Sequence, residues 1–126
     1  MRYVDQTTFG APGGNCFSAC VASMLEIPLD AVPYFMGRGG EWFTYFEEWL
    51  QPHGYYPVCF NDANYRPQGL YILSGKSPRG DFLHSVIARG LDVVHDPHPS
   101  RAGVESFHDC IVLVPFDPSL ARRAVS

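Results

Sequence analysis

Cys16 is the residue of this chain best placed to act as a nucleophile. It follows Asn15, a residue type that favours the N-cap, and it opens a stretch, 16–26, that reads as a helix closed by Pro28. Cysteine attacks as the thiolate. A helix N-terminus lowers a thiol pKa because its free N–H groups and macrodipole favour negative charge. The same N–H groups can bind the oxyanion that forms when a carbonyl is attacked. A buried, inert thiol is the commoner fate of a single cysteine. That fate is expected for Cys20, one turn further along an apolar helix, and for Cys59 and Cys110 in apolar strand-like runs.

A thiolate works with a base that later protonates the leaving group. Of the five histidines, His84 opens the run Leu83-His84-Ser85-Val86-Ile87-Ala88, which reads as an interior strand. The chain then turns at Arg89-Gly90-Leu91-Asp92 and returns through Val93-Val94-His95-Asp96. A three-residue loop centred on Gly90 sets His84 directly opposite Asp96, with Cβ atoms about 4.5–5.5 Å apart. A two-residue loop shifts the register by one and sets His84 against Pro97. Taken singly, His84 reads as a half-buried structural histidine and Asp96 as a turn residue before Pro97. Taken together with Cys16, the two read as a base and the carboxylate that orients it. His95 and His98 are expected at the rim, His53 in a solvated turn, and His108 carries no signal.

Zinc is the competing chemistry. Cys16-x-x-x-Cys20 can offer two ligands, with His95, His98 or His108 adding others. Cys20 lies in the most apolar stretch of the chain, however, and no second Cys pair or His-x-x-x-His follows at finger spacing. The expectation is a site with no metal and no cofactor.

The elements that position these residues are also legible. Residues 10–15 form a Gly-rich loop, and the helix at 16–26 is apolar all round, the mark of a buried helix. A second short helix is expected at 28–35. A third, at 41–51, has Trp42, Tyr45, Phe46 and Trp49 at helical spacing. After His53-Gly54, strands are expected at 55–60, 69–74, 83–89, 91–95 and 110–116. Helices followed by strands imply an α+β domain built on an antiparallel sheet. The chain has 126 residues, enough for one domain, and the tail from Asp117 onward reads as exposed. The net charge is −4 and no basic run exists, which argues against nucleic acid as a partner. No apolar stretch approaches the roughly 20 residues of a membrane helix, and Met1–Gly10 lacks the apolar core of a signal peptide. The expectation is a cytoplasmic chain with reduced thiols and no membrane partner.

The segments Gly14-Asn15-Cys16-Phe17-Ser18-Ala19-Cys20-Val21-Ala22-Ser23-Met24-Leu25, Leu83-His84-Ser85-Val86 and His95-Asp96-Pro97 resemble those of the papain-like cysteine peptidases. The nearest branch is the bacteriocin-processing peptidases that trim double-glycine leaders. The resemblance implies a papain-like fold with the cysteine opening a central buried helix, and the histidine and aspartate on adjacent strands. It implies a catalytic set of Cys16, His84 and Asp96. It also implies an oxyanion-hole glutamine ahead of the cysteine, for which Gln6 is the match. Gln6 lies further from the cysteine than is usual in the family, and Phe17 stands where a glycine often follows the cysteine.

The expected activity is therefore cleavage of a peptide or related amide through a thioester, with a peptide or protein as substrate. An aromatic groove from Trp42, Phe43, Tyr45 or Tyr65 is a candidate for holding it. Transfer of the acyl group to an amine, as in transglutaminases, and an inactive binding module on the same fold are the alternatives. The oligomeric state is not encoded in any pattern found.

Overall fold

A computed structural model describes residues 2–120. Two helices, α1 (Cys16–Leu25) and α2 (Trp42–Leu50), precede five strands: β1 (Tyr55–Phe60), β2 (Leu70–Lys76), β3 (Leu83–Arg89), β4 (Asp92–His95) and β5 (Asp109–Pro115). All pairings are antiparallel, in the order β1-β5-β2-β3-β4. The class is α+β, with α1 packed on the sheet. Of the tail, Asp117–Ser119 is exposed and Pro118–Leu120 forms a short 3-10 turn; residues 121–126 lie outside the described part.

The apolar sequence of α1 has its expected result: Phe17 through Met24 are all buried. Its two interior serines are satisfied locally. Ser18 donates to Pro33 O at 2.8 Å; Ser23 donates to Ala19 O at 2.9 Å and accepts from Val4 N–H at 2.8 Å. The helix ends with Glu26 in the left-handed region and the Ile27 N–H on Ala22 O, after which Pro28 prevents continuation. The aromatic stripe of α2 meets α1 through Phe46, which packs edge-on to Phe17 and Phe35. Strand alternation puts Ile72, Ile87 and Ile111 in the core with the helices. Tyr71, Ala88 and Cys110 form a second, smaller cluster on the other face.

Two expected elements differ. Residues 28–35 do not form a helix: Leu29–Ala31 is a single 3-10 turn and the chain is extended at Val32. Pro33 is the cause, since it disfavours helical geometry in the residue before it. A longer 3-10 segment follows at Phe35–Glu41.

The β3–β4 hairpin also differs. Its loop has two residues, Gly90 and Leu91, because Arg89 pairs with Asp92. Gly90 takes φ +58° and is tied down by two hydrogen bonds, its N–H to Pro67 O and its carbonyl from Tyr71 OH. Left alone, that register would turn Asp96 to the face opposite His84. A bulge between Ile87 and Ala88 intervenes: Ala88 pairs with Val93 but Ile87 pairs with His95, so Val94 is the extra residue. Continued past His95, the shifted ladder sets Asp96 opposite Val86, on the face that His84 shares. His84 and Asp96 are thus diagonal neighbours rather than direct partners, a spacing that long side chains bridge.

Candidate active site

His84 and Asp96 meet with Nε2 2.7 Å from Oδ1, both side chains 2% exposed. The carboxylate is held from three sides. Oδ1 also accepts the His98 N–H at 2.9 Å, and Oδ2 accepts the Gly103 N–H at 2.7 Å. The bond from residue 98 is the Asx-turn that Asp96-Pro97-His98 favours. Arg101, at φ +55°, donates to the Asp96 carbonyl and reaches Asp5 with both Nη atoms, at 2.6 and 2.9 Å. Burial raises a carboxyl pKa, but the hydrogen bonds from His84 and the two backbone N–H groups outweigh it and hold Asp96 at about 2.

With Nε2 taken by Asp96, Nδ1 is the ring nitrogen left for Cys16, which shares the pocket and lies near enough for the thiol and the ring to shift each other's pKa. Burial disfavours the imidazolium, yet the hydrogen bonds and charges of Asp96 and Cys16 lift His84 to about 9. Burial likewise works against the thiolate. The bond to His84, the imidazolium charge and the N–H groups of Ser85 and Phe17 prevail, so the Cys16 pKa lies below its ordinary value. Both shifts run in the direction that favours a thiolate–imidazolium pair. Cys16 opens α1 as the sequence predicts, and it is half-buried, hence reachable.

Asn15 holds the N-cap position, but its side chain does not cap the helix. Its Oδ1 accepts the N–H groups of Thr7 and Thr8 at 2.9 and 3.0 Å, and its Nδ2 donates to Thr7 Oγ1 at 2.9 Å. This clasp folds the long segment between Gln6 and Cys16 back on itself. Gly14 completes the fold by passing close to Gly10: a Cβ there would lie 2.3 Å from Gly10 O. Gln6 is consequently buried in the same pocket as Cys16, its N–H bonded to Pro97 O at 3.0 Å. One amide N–H of Gln6 is given to Thr8 O at 2.9 Å, and among the described residues Oε1 has no hydrogen-bond partner. Despite its greater distance from the cysteine in sequence, Gln6 lines the same pocket as Cys16.

The pocket has a volume of about 560 Å³ and contains Cys16, His84 and Gln6 in its lining. Of the aromatic residues expected to form a groove, only Trp42 lines it; Phe43 and Tyr45 pack with the helical core and Tyr65 packs on Phe60. Phe17, next to Cys16 in α1, lines it instead, with Phe9, Tyr34 and Phe82 brought in by segments whose approach no local pattern encodes.

The remaining histidines divide. His98 is at the rim, edge-on to His84 with centroids 6.1 Å apart. His95 is not: it stacks on Tyr3 at 4.7 Å and reaches Val4 O, anchoring the N-terminal segment. His53 is exposed and lies against Trp49, and His108 lines the pocket beside Asp109. Cys20 and Cys110 are buried, but Cys59, near the end of the edge strand β1, is exposed. Among the described residues no group of three or more His, Cys, Asp or Glu side chains is arranged to hold a metal ion. Within the same limits, no single helix is long and apolar enough to cross a membrane.

Comparison of the chain with protein-family models, with curated proteins and with solved structures finds no match.

Proposed function

We propose that the protein is a cysteine peptidase or related amide hydrolase with a papain-like site. The observation that carries this reading is the buried His84–Asp96 pair, bonded at 2.7 Å and electrostatically coupled to a half-buried thiol that opens a helix inside the same pocket. A structural histidine needs one partner; this one has a carboxylate on one nitrogen and a depressed thiol facing the other.

The chemistry follows from the geometry. The Cys16 thiolate attacks the amide carbonyl carbon, and the carbonyl electrons move to oxygen. The second N–H of Gln6 and the free N–H groups at the start of α1 are the donors available to that oxyanion. Collapse of the intermediate breaks the C–N bond, and His84 gives its Nδ1 proton to the departing amine, leaving a thioester on Cys16. Water then attacks the thioester, with His84 taking its proton; sulfur leaves as the thiolate, which restores the thiolate–imidazolium pair, and the acid is released. Asp96, fixed by three hydrogen bonds, keeps the ring oriented throughout.

Competitive alkylation tests the reading. Iodoacetamide at pH 6 should modify Cys16 first, and a peptide-based cysteine electrophile should label it alone. The exposed Cys59 is the internal control, since accessibility favours it while burial and the Asp109 charge push its thiol up. Faster modification of Cys59 than of Cys16 in the folded protein would refute the proposal.

A further inference from the structure

The pocket beside Cys16 is apolar along much of its lining, with Phe17, Met36, Trp42, Phe82 and Leu83 among its residues. Three polar side chains from three neighbouring strands cross it in one row. Ser85 of β3 pairs with Ser74 of β2, and Ser74 pairs with Asp109 of β5. Cross-strand partners share a face of the sheet, and all three residues line the pocket. The two hydroxyls are buried and bond to each other at 2.9 Å. Ser85 follows His84 in β3 and shares the pocket lining with Cys16. The row thus begins at the nucleophile and ends at a carboxylate.

Asp109 is only partly satisfied there. Its Oδ2 lies 2.6 Å from His108 Nδ1, and its side chain is 19% exposed. Among the described residues, Oδ1 makes no hydrogen bond or ion pair. The other permanent charge in the lining, Arg79, is bonded to Ser100 Oγ at 3.0 Å and acts on His98 instead. Two strand spacings of about 4.8 Å separate the Asp109 backbone from that of Ser85 by roughly 10 Å. A lysine or arginine side chain matches that span: its methylene stem lies along apolar surface and its head meets the free carboxylate oxygen.

We propose that Asp109 is a specificity-determining residue that selects a substrate with a basic side chain, lysine or arginine, near the bond attacked by Cys16. The proposal rests on the reading of Cys16 as nucleophile, so its test separates the two.

Capped peptides bearing a vinyl sulfone are compared at each of four positions with lysine, arginine, norleucine or glutamate. The second-order rate of Cys16 modification is taken as the lysine-to-norleucine ratio, which cancels any loss of folded protein. At one position the ratio should be about tenfold or more in the wild type, should fall towards unity in Asp109→Asn, and should shift towards glutamate in Asp109→Lys. A wild-type ratio near unity at every position, or a ratio that survives Asp109→Asn, overturns the proposal. Uncapped norleucine peptides test a free amino terminus as the cation; rates that follow the amino terminus and not the side chain also overturn it. Calorimetric binding of the same peptides to Cys16→Ala gives the selectivity without any chemistry at sulfur. Lysine selectivity there, with no modification of the intact thiol, sinks the catalytic reading alone. Equal binding of lysine and norleucine peptides, with normal iodoacetamide reactivity at Cys16, sinks the Asp109 proposal alone.

Discussion

His84 and Asp96 make a 2.7 Å contact across a hairpin in which they are not paired, and Val94 is the residue that allows it. The two-residue loop by itself would turn Asp96 away. The bulge adds one residue to β4 and restores the shared face.

Deleting Val94 should therefore remove the carboxylate from His84 without removing the hairpin. The expected result is a folded protein with Cys16 reactivity close to that of Asp96→Asn. A glycine inserted between Gly90 and Leu91 should be nearly neutral, because it lengthens the loop and leaves the bulge in place. Alkylation rates with circular dichroism check both; equal effects of the two changes would rule out the bulge as the aligning device.

Asp96→Asn should slow acylation by a factor on the order of 10 to 10³, less than the roughly 10⁴ known for a serine enzyme, because the thiolate–imidazolium pair is already formed. Asp92→Asn, at the exposed end of β4, should change little. Single-turnover rates for these variants, beside Cys16→Ala and His84→Ala, decide it; an active His84→Ala would exclude the triad.

The shifted groups set the dependence of stability on pH. His84 is raised from 6.5 to about 9, so its contribution is full below 6.5 and is lost as pH rises through about 9. Asp96 is lowered from 3.8 to about 2, so its contribution is full above 3.8 and is lost as pH falls through about 2. Melting temperatures should show a plateau from roughly pH 4 to 6.5, with a decline above it that His84→Gln flattens. An alkaline limb unchanged in that variant would show that other groups govern it.

Gln6→Ala should lower the rate of acylation by about 10- to 10³-fold with a smaller effect on substrate affinity, as for the loss of one oxyanion donor. Asn15→Ala removes the clasp on Thr7 and Thr8 and should reproduce part of that loss, at a cost in stability of about 1–2 kcal/mol. The kcat-to-KM split distinguishes the two roles; an Asn15→Ala change that only raises KM would place the clasp outside the chemistry.

Much of this was legible in the sequence. The three chemical residues, the buried helix and five strands all follow from residue type and period, and β1 and β3 have the predicted bounds. What escaped has a common cause. The bulge at Val94 depends on pairing geometry, and no local signal marks it. The side chain of Asn15 is the type that caps helices, but the nearby N–H groups of Thr7 and Thr8 compete for it. Helix 28–35 failed because Pro33 weighed more than the apolar pattern around it. The Phe, Tyr and Trp residues of the pocket arrive from five separate segments, and a one-dimensional period cannot report where they converge.

Cys16 belongs to the helical half of the chain and His84 to the sheet, so the pocket lies on the seam between them. A partial opening along that seam would part sulfur from imidazole while each half kept most of its internal hydrogen bonds. The reactivity of the Cys16 thiol then reports docking of the halves, and it should fall at lower denaturant than ellipticity does. Amide exchange would show the same order, with the Phe17 and Ser85 N–H groups that face the sulfur losing protection before the central strands.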